Sequence, residues 1–422
     1  MHLYTLRMSQ DISRSTRRWY HALGPGLITA CVVIGPGSIL TSSKVGASQG
    51  YGMSWVVVVA VIFMMTFTVM ASRLGAVAKE SPGKVVTDGA GRWLAILIGL
   101  SVFFIASAFQ FGNNLGVHTA FNAYIEFDYI VIIFNAAAIA FLFLFKNLYK
   151  ALEKLMMGFV GLMLIAFAAN LFFAKPNLSE WAKGFVPGGQ TEVDITVLGL
   201  VGTTFVIAAA YFQIYLVRQK GIRREDLKYS LVDSRVGAGL MAFITLMIMG
   251  TAASVLRGQD LAGAGDVAKQ LEPLFGSWGK GLFCLGLFCA AYSSFLINSM
   301  IGGFVLSDGL GLGSDPKEKW TRYMTTVVLL TGMGVALYVI KTGTKPVAAI
   351  VMAQAVTVIA APLMAGVLLW LCNRKDLMGE DRNSPLLNTL GGLGFVLLLA
   401  MAWYTATAKV WPKVSVLFGD GA

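Results

Sequence analysis

Four consecutive residues, Gly35-Pro36-Gly37-Ser38, interrupt the first long apolar stretch of the chain. Proline removes a backbone donor and glycine weakens helical order, so a membrane helix cannot run unbroken through this sequence. Irregular backbone at membrane depth persists only where it is buried in protein or lines a watery cavity, and there it commonly builds a substrate site. The break therefore predicts a transporter whose substrate meets backbone carbonyls near Gly35 and the hydroxyl of Ser38.

The sixth apolar stretch offers a second set of candidate residues, although no proline or glycine marks a break there. Tyr211 and Gln213 would line a substrate cavity if this helix unwinds, together with the neighbouring Ala209 and Ala210. A run of alanines is also typical of close helix contacts, and that interpretation remains open. We place these four residues in the predicted substrate site.

Composition indicates that the solvent of this chain is a lipid bilayer. Hydrophobic residues make up 56% of the sequence and charged residues 13%, whereas roughly a quarter of the residues in a soluble protein are charged. The net charge of +11 does not indicate nucleic-acid binding, because the basic residues are spread over loops and form no stripe that could follow phosphates. The partners we expect are membrane lipid and a small ion or small-molecule substrate.

About eleven apolar stretches of roughly 20 residues, the length that crosses a bilayer, follow one another along the chain. Lys and Arg concentrate in alternate short loops, which the positive-inside rule places in the cytoplasm. The pattern predicts an all-α integral membrane protein with a cytoplasmic segment 1–21, a membrane domain 22–407 and an extracytoplasmic tail 408–422. The predicted spans are 22–43, 51–71, 94–121, 129–145, 155–173, 196–217, 231–255, 280–305, 321–340, 346–371 and 386–407.

The sequence contains no recognisable enzyme motif. It has no His-Glu-x-x-His zinc motif, no phosphate-binding lysine motif and no nucleophile elbow. Its four cysteines lack the paired spacing of a zinc site or a disulfide framework. We interpret Asp308, Asp315 and Glu318, around the glycine-rich segment 309–313, as solvated loop charges. The sequence thus predicts a protein that is not an enzyme and has no cofactor.

Several short motifs follow one another along nearly the whole chain. They are Gly24-Pro25-Gly26-Leu27, the break at 35–38, Gln49-Gly50-Tyr51-Gly52, Ala174-Lys175-Pro176, Gly184-Phe185-Val186-Pro187, Gln354 and 373–380. Their order and spacing resemble those of the Nramp family of divalent-metal transporters. The resemblance implies a LeuT-type fold of two inverted five-helix repeats, with broken helices 1 and 6 around the substrate. The repeats would be about 22–173 and 196–371, followed by an extra helix at 386–407.

The resemblance also identifies ligands that this chain lacks. Metal-transporting members of the family have Asp-Pro-Gly-Asn at the first break, whereas this sequence keeps Pro36 and Gly37 and has Gly35 and Ser38 at the ligand positions. The family's Met-Pro-His motif in the sixth helix is also missing, and with it the soft thioether that favours manganese or iron over magnesium. None of the usual metal ligands remains. Ser38 and Gln354, which stands where the family uses a tenth-helix glutamine, are left as weak ligands.

The third predicted helix also lacks charged residues that metal-transporting members of the family have. Metal-transporting relatives carry an Asp and a Glu three residues apart as a proton route, where this chain has Gln110 and Asn113. Amides bind water but do not relay protons by titrating, so the pair predicts a neutralised proton pathway. A polar seam that joins neighbouring helices is the alternative interpretation of the same residues.

These observations predict an Nramp-like secondary transporter that works by alternating access in a bacterial inner membrane, with the N-terminus inside and the C-terminus outside. Its substrate would be a divalent cation of altered selectivity, such as hydrated magnesium, because magnesium keeps its waters and tolerates a site without soft ligands. We also expect that transport lacks the usual proton coupling. A carrier of a small organic solute, such as an amino acid or amine, is the alternative, since the binding region has lost its charge.

Overall fold

The computed structural model describes residues 24–145, 147–188, 195–261, 264–343 and 346–410, and these are folded into helices joined by short loops. The helices of the first half are α1 (Pro25–Val33), α2 (Pro36–Gln49), α3 (Ser54–Val77), α4 (Pro82–Ala90), α5 (Arg92–Asn122), α6 (Ile130–Leu144), α7 (Leu148–Ala174) and α8 (Leu178–Lys183). Those of the second half are α9 (Ile195–Thr204), α10 (Ile207–Gln219), α11 (Leu227–Val255), α12 (Ala264–Gly309), α13 (Lys319–Thr342), α14 (Pro346–Asn373), α15 (Lys375–Met378) and α16 (Pro385–Thr405).

Apart from the short helices α4, α8 and α15, the described helices match the eleven predicted spans one to one when α1 with α2 and α9 with α10 each count as one span. By length and hydropathy, eight spans among the described residues are able to cross a membrane, with α9 and α10 taken together as one of them. The number is up to ten if two bent pairs, α1 with α2 and residues 358–373 of α14 with residues 375–381, each count as one span. The 15-residue helix α6 is shorter than that standard. Apolar side chains exposed along α16, such as Leu386, Leu393 and Trp403, suit contact with lipid.

The first predicted break is present between α1 and α2. Gly35 has extended backbone with φ −108° and ψ 179°, and Pro36 begins α2, where its missing N–H and fixed φ are favourable. The axes of the two half-helices differ by 59°. The ring of Pro36 packs against Gly116 of α5, where a Cβ atom would overlap it. The Gly35-Pro36 pair therefore bends the chain where the sequence predicts.

The sixth span is also interrupted, at Phe205–Val206 between α9 and α10. Val206 has φ −87° and ψ 88°, which lies outside the helical region. Its carbonyl accepts from the N–H groups of Ala209 and Ala210, at 3.0 and 3.2 Å, and so begins α10. Ala209 and Ala210 accordingly belong to the regular first turn of α10, after the interruption.

Packing around the breaks depends on α5, α11 and α12. The long helix α12, which is kinked at Gly276, packs along α5, α7 and α13, while α11 packs against α1, α2 and α3. At the crossing of α1 and α11, Gly26 and Gly237 bring the two backbones together, because a Cβ atom on either glycine would overlap the other helix. Small residues permit such close approach in membrane proteins, where burial of apolar surface does not drive association.

Candidate functional site

A small buried cavity lies at the first break. Its polar lining comes from Gly35, Ser38 of α2, Asn113 of α5, Thr203 of α9 and Ser294 of α12. The rest of the described lining is glycine or apolar. The cavity leaves about 10 Å³ for the centre of a water-sized particle, which is about the space of one water molecule. Both broken helices thus contribute to one buried, uncharged site.

Ser38 is the most informative polar residue of this lining. Its side chain is 2% exposed, and its Oγ has no hydrogen-bond partner among the described residues. An unsatisfied buried hydroxyl costs roughly 1–3 kcal/mol, and such groups in native structures usually mark a water molecule, an ion or a functional role. Ser38 is therefore positioned to meet whatever occupies the cavity.

Ser294 satisfies one of the carbonyls that the break releases. Its Oγ donates to the carbonyl oxygen of Val32 at 3.1 Å. The same hydroxyl faces the break itself, because a Cβ atom built on Gly35 would lie 3.2 Å from Ser294 Oγ and 3.4 Å from Asn113 Oδ1. Because Gly35 has no side chain, space remains beside it, next to the oxygen atoms of Ser294 in α12 and Asn113 in α5.

Asn113 and Gln110 are both buried, and they differ in their relation to the cavity. Asn113 lines it, and its Nδ2 donates to Gln110 Oε1 at 3.4 Å. Gln110 lies behind Asn113 and packs against Gly332 of α13, and its Nε2 has no partner among the described residues. A separate amide seam joins α5 to α6, where Asn135 Nδ2 donates to Asn114 Oδ1 at 2.7 Å. The structure therefore contains both an amide at the cavity and amides that connect helices.

The candidate residues of α10 lie away from the described cavity. Gln213 is buried in a hydrogen-bond chain in which Thr29 Oγ1 donates to its Oε1 at 2.6 Å and its Nε2 donates to Ser72 Oγ at 3.1 Å. Ser72 in turn shares a hydrogen bond of 2.8 Å with Ser234 Oγ. Tyr211 is 1% exposed and packs near Tyr215. None of Ala209, Ala210, Tyr211 and Gln213 is among the residues that line the cavity, and the side chain of Gln354 lies outside the described part of the structure.

Asp308 is not a solvated loop charge, contrary to the sequence-based interpretation. Its side chain lies at the end of α12 with 6% of the residue exposed. It accepts hydrogen bonds from Ser81 Oγ at 2.6 Å, Gly83 N at 2.7 Å and Tyr215 Oη at 2.7 Å. The prediction was wrong because the closely spaced glycines and nearby charges indicate an exposed loop. The donors that bury this carboxylate belong to segments that are distant in sequence. Asp315 is exposed as predicted.

A second buried carboxylate, Asp233 of α11, was not identified from the sequence. Its two oxygens accept from the N–H groups of Gly24, at 2.9 Å, and Gly26, at 2.6 Å. These groups lie at the start of α1, where unpaired N–H donors and the helix dipole favour a negative charge. An aspartate early in a membrane helix is the signal that could have found it, because buried charges there are rare.

The described residues contain no group of three or more His, Cys, Asp or Glu side chains that could hold a metal ion. Asp233 and Asp308 are both occupied by backbone or hydroxyl donors. A cation in the cavity would therefore meet neutral oxygen atoms from serine, threonine, asparagine and backbone groups.

Comparisons with known proteins agree with this architecture. The sequence model described as natural resistance-associated macrophage protein-like, Nramp, matches residues 26–408. The chain belongs to the Nramp family. This Nramp protein is 26% identical over 408 residues to the divalent metal cation transporter MntH of Pectobacterium carotovorum subsp. carotovorum (strain PC1), covering 94% of this chain and 97% of the relative.

Solved structures show that the fold is shared more widely. The Eremococcus coleocola manganese transporter, in complex with an aromatic bis-isothiourea substituted compound, matches with a TM-score of 0.78 at 18% identity, over 94% of this chain and 88% of that one. MhsT in complex with L-phenylalanine matches with a TM-score of 0.59 at 14% identity, over 92% and 99% of the two chains. The predicted all-α, LeuT-type membrane fold is confirmed, and this Nramp protein is an integral membrane protein.

Proposed function

We propose that this Nramp protein is an alternating-access transporter that carries a divalent metal cation through the cavity at the first break. Its selectivity is shifted toward hard, partly hydrated ions such as magnesium, and transport is not coupled to protons. The neutral oxygen lining of the cavity, at a break that keeps Pro36 and Gly37, is the observation that carries this proposal. Family membership and the MntH relative support the divalent-cation class.

The chemistry of the lining favours a hard ion. The described cavity contains no carboxylate, imidazole or thioether, and its polar atoms are hydroxyl, amide and backbone oxygens. Soft ligands select transition metals, whereas oxygen ligands suit magnesium and calcium. Magnesium sheds its waters reluctantly and usually binds through few protein ligands. A site without a carboxylate therefore suits an ion that keeps part of its hydration shell, and it binds that ion weakly.

The charge of the lining favours an ion over an amino acid. An amino acid carries two charged groups, an amine and a carboxylate. The described lining has neither an acid to receive the amine nor a base to receive the carboxylate. The likeness to MhsT concerns the fold alone and does not extend to its phenylalanine.

The absence of proton coupling rests on α5. Gln110 and Asn113 form an amide pair beside the cavity, at 3.4 Å, and neither side chain titrates. The basic loops support insertion in a bacterial inner membrane with the N-terminus in the cytoplasm and the C-terminus outside. The division into repeats 22–173 and 196–371 and an extra helix 386–407 is part of the same proposal.

Flux measurements in proteoliposomes test the proposed function. The purified protein is reconstituted with a magnesium-sensitive dye inside, and magnesium, calcium, manganese and a panel of amino acids are added outside, with a pH dye in parallel vesicles. We expect saturable magnesium uptake above that of protein-free liposomes and no change of internal pH. Strong manganese uptake with matching acidification would refute both the altered selectivity and the missing coupling, and uptake of an amino acid alone would favour the organic-solute carrier.

A further inference from the structure

Gly35 opens toward two oxygen atoms that belong to other helices. A Cβ atom at this position would lie 3.2 Å from Ser294 Oγ and 3.4 Å from Asn113 Oδ1. The backbone of Gly35 is extended and accepts any residue, so glycine is not required here by backbone conformation. Glycine matters here because it leaves space: a longer side chain would occupy the volume next to these two oxygen atoms.

The hydrogen bonds of Asn113 and Ser294 leave acceptor atoms facing this volume. Asn113 Nδ2 donates to Gln110 Oε1 at 3.4 Å, while its Oδ1 lies 3.4 Å from the position of a Cβ atom on Gly35, which lines the cavity. Ser294 uses its single hydroxyl hydrogen to donate to Val32 O at 3.1 Å, so the lone pairs of its oxygen remain available. Both side chains thus present electron-rich oxygen, which attracts a cation and not an anion.

We infer that Asn113 Oδ1 and Ser294 Oγ are ligands of the transported cation and take the place of the carboxylate that the first break lacks. Ser38 Oγ, which is 2% exposed and has no hydrogen-bond partner among the described residues, is the third oxygen of this set. The three come from α5, α12 and α2 and line the same cavity. The inference deepens the proposed function, on which it rests, by adding ligands from α5 and α12 to the one from the broken helix.

This ligand set defines the substrate as a hard cation that retains water molecules. Three neutral oxygens do not complete the six-fold shell that magnesium demands, so water or backbone carbonyls fill the remaining positions. Gln110 is a positioning residue, since it acts on the cation only by orienting the amide of Asn113. Selectivity would accordingly respond to changes in α5 and α12 as strongly as to changes at the break.

Magnesium uptake by proteoliposomes tests the inference with four single variants. We expect Asn113→Ala and Ser294→Ala each to raise the KM for magnesium by about tenfold, the loss expected when an ion gives up one strong polar contact. Asn113→Asp keeps an oxygen in the same place and adds a charge, and we expect it to lower the KM by about tenfold or more. Ser294→Thr keeps the hydroxyl, and we expect it to retain the wild-type KM.

Two buried polar residues away from the cavity serve as matched controls. Asn170 of α7 donates to Ala166 O at 3.0 Å, and Ser299 of α12 donates to Leu296 O at 2.8 Å. Asn170→Ala and Ser299→Ala remove the same atoms from the membrane interior, and we expect them to leave the KM unchanged.

The outcomes separate the inference from the proposed function. Wild-type KM values in Asn113→Ala, Asn113→Asp and Ser294→Ala would overturn the ligand assignment while the transport function stands. Absence of divalent-cation uptake by the wild-type protein would overturn the proposed function and the inference with it. If an alanine variant does not fold, the nearly isosteric Asn113→Asp decides, because a KM no lower than that of the wild type contradicts a ligand at this position.

Discussion

Substitution of Asp308 tests how much its buried carboxylate stabilises the packing at the end of α12. Asp308→Ala removes the acceptor of three hydrogen bonds, of which those from Gly83 N and Tyr215 Oη are fully buried. Each buried donor left without a partner costs about 1–3 kcal/mol, so the two together lower the free energy of unfolding by about 2–6 kcal/mol. The third donor, Ser81 Oγ, is only partly buried and contributes less.

Equilibrium unfolding in mixed detergent micelles measures this loss. The matched control is Asp315→Ala, because Asp315 follows in the adjoining loop, is exposed, and accepts only from the nearby Lys317 N at 2.8 Å. We expect the control to change the free energy of unfolding by no more than about 0.5 kcal/mol. Equal losses in the two variants would refute the assignment of Asp308 as a buried acceptor.

A double-mutant cycle with Tyr215→Phe isolates one of these contacts. Tyr215→Phe removes the O–H that Asp308 accepts, so the double variant should lose less stability than the two single losses combined, by about 1 kcal/mol or more. Strictly additive losses would show that Tyr215 and Asp308 do not interact, whatever the size of each single effect.

Three further predictions follow from close contacts and from the uncharged site. Gly116→Ala places a methyl group against the rigid ring of Pro36, and thermal unfolding should show a loss of about 1–3 kcal/mol that Gly158→Ala, with no neighbour within 4 Å, does not show. Gly332→Ala brings a Cβ atom to 2.6 Å from Gln110 Cγ, and the same assay should show a comparable loss. In buffer without added magnesium, EDTA should leave the unfolding temperature unchanged, and a marked fall would indicate a structural metal ion.

The helices and the first break could be predicted because their causes are local. Twenty apolar residues specify a span, and Gly35-Pro36 interrupts a helix wherever it lies. The match between predicted and described spans extends to the 15-residue α6. What the hydropathy pattern could not give is the exact end of each helix, because termini depend on caps and loop contacts.

The partners of the polar residues could not be predicted, because they are distant in sequence. Gln213 meets Thr29 and Ser72, which precede it by 184 and 141 residues. Asp308 accepts from the N–H of Gly83 at the start of α4, 225 residues earlier. Val206 interrupts the sixth span without a proline or glycine, so tertiary packing overrides its intrinsic preference and no local signal marks it.

The break between α1 and α2 is supported by packing and not by its substrate. Pro36 is seated on Gly116, and the carbonyl of Val32 is satisfied by Ser294, so neither needs a bound ion. A site whose scaffold is ordered in advance loses little binding energy to ordering, which matters when the ligands are neutral and each contact is weak. The carboxylate of an ordinary metal site can therefore be absent without loss of the break. Under the proposed function, a weakly held, partly hydrated ion is also one that can leave, as transport requires.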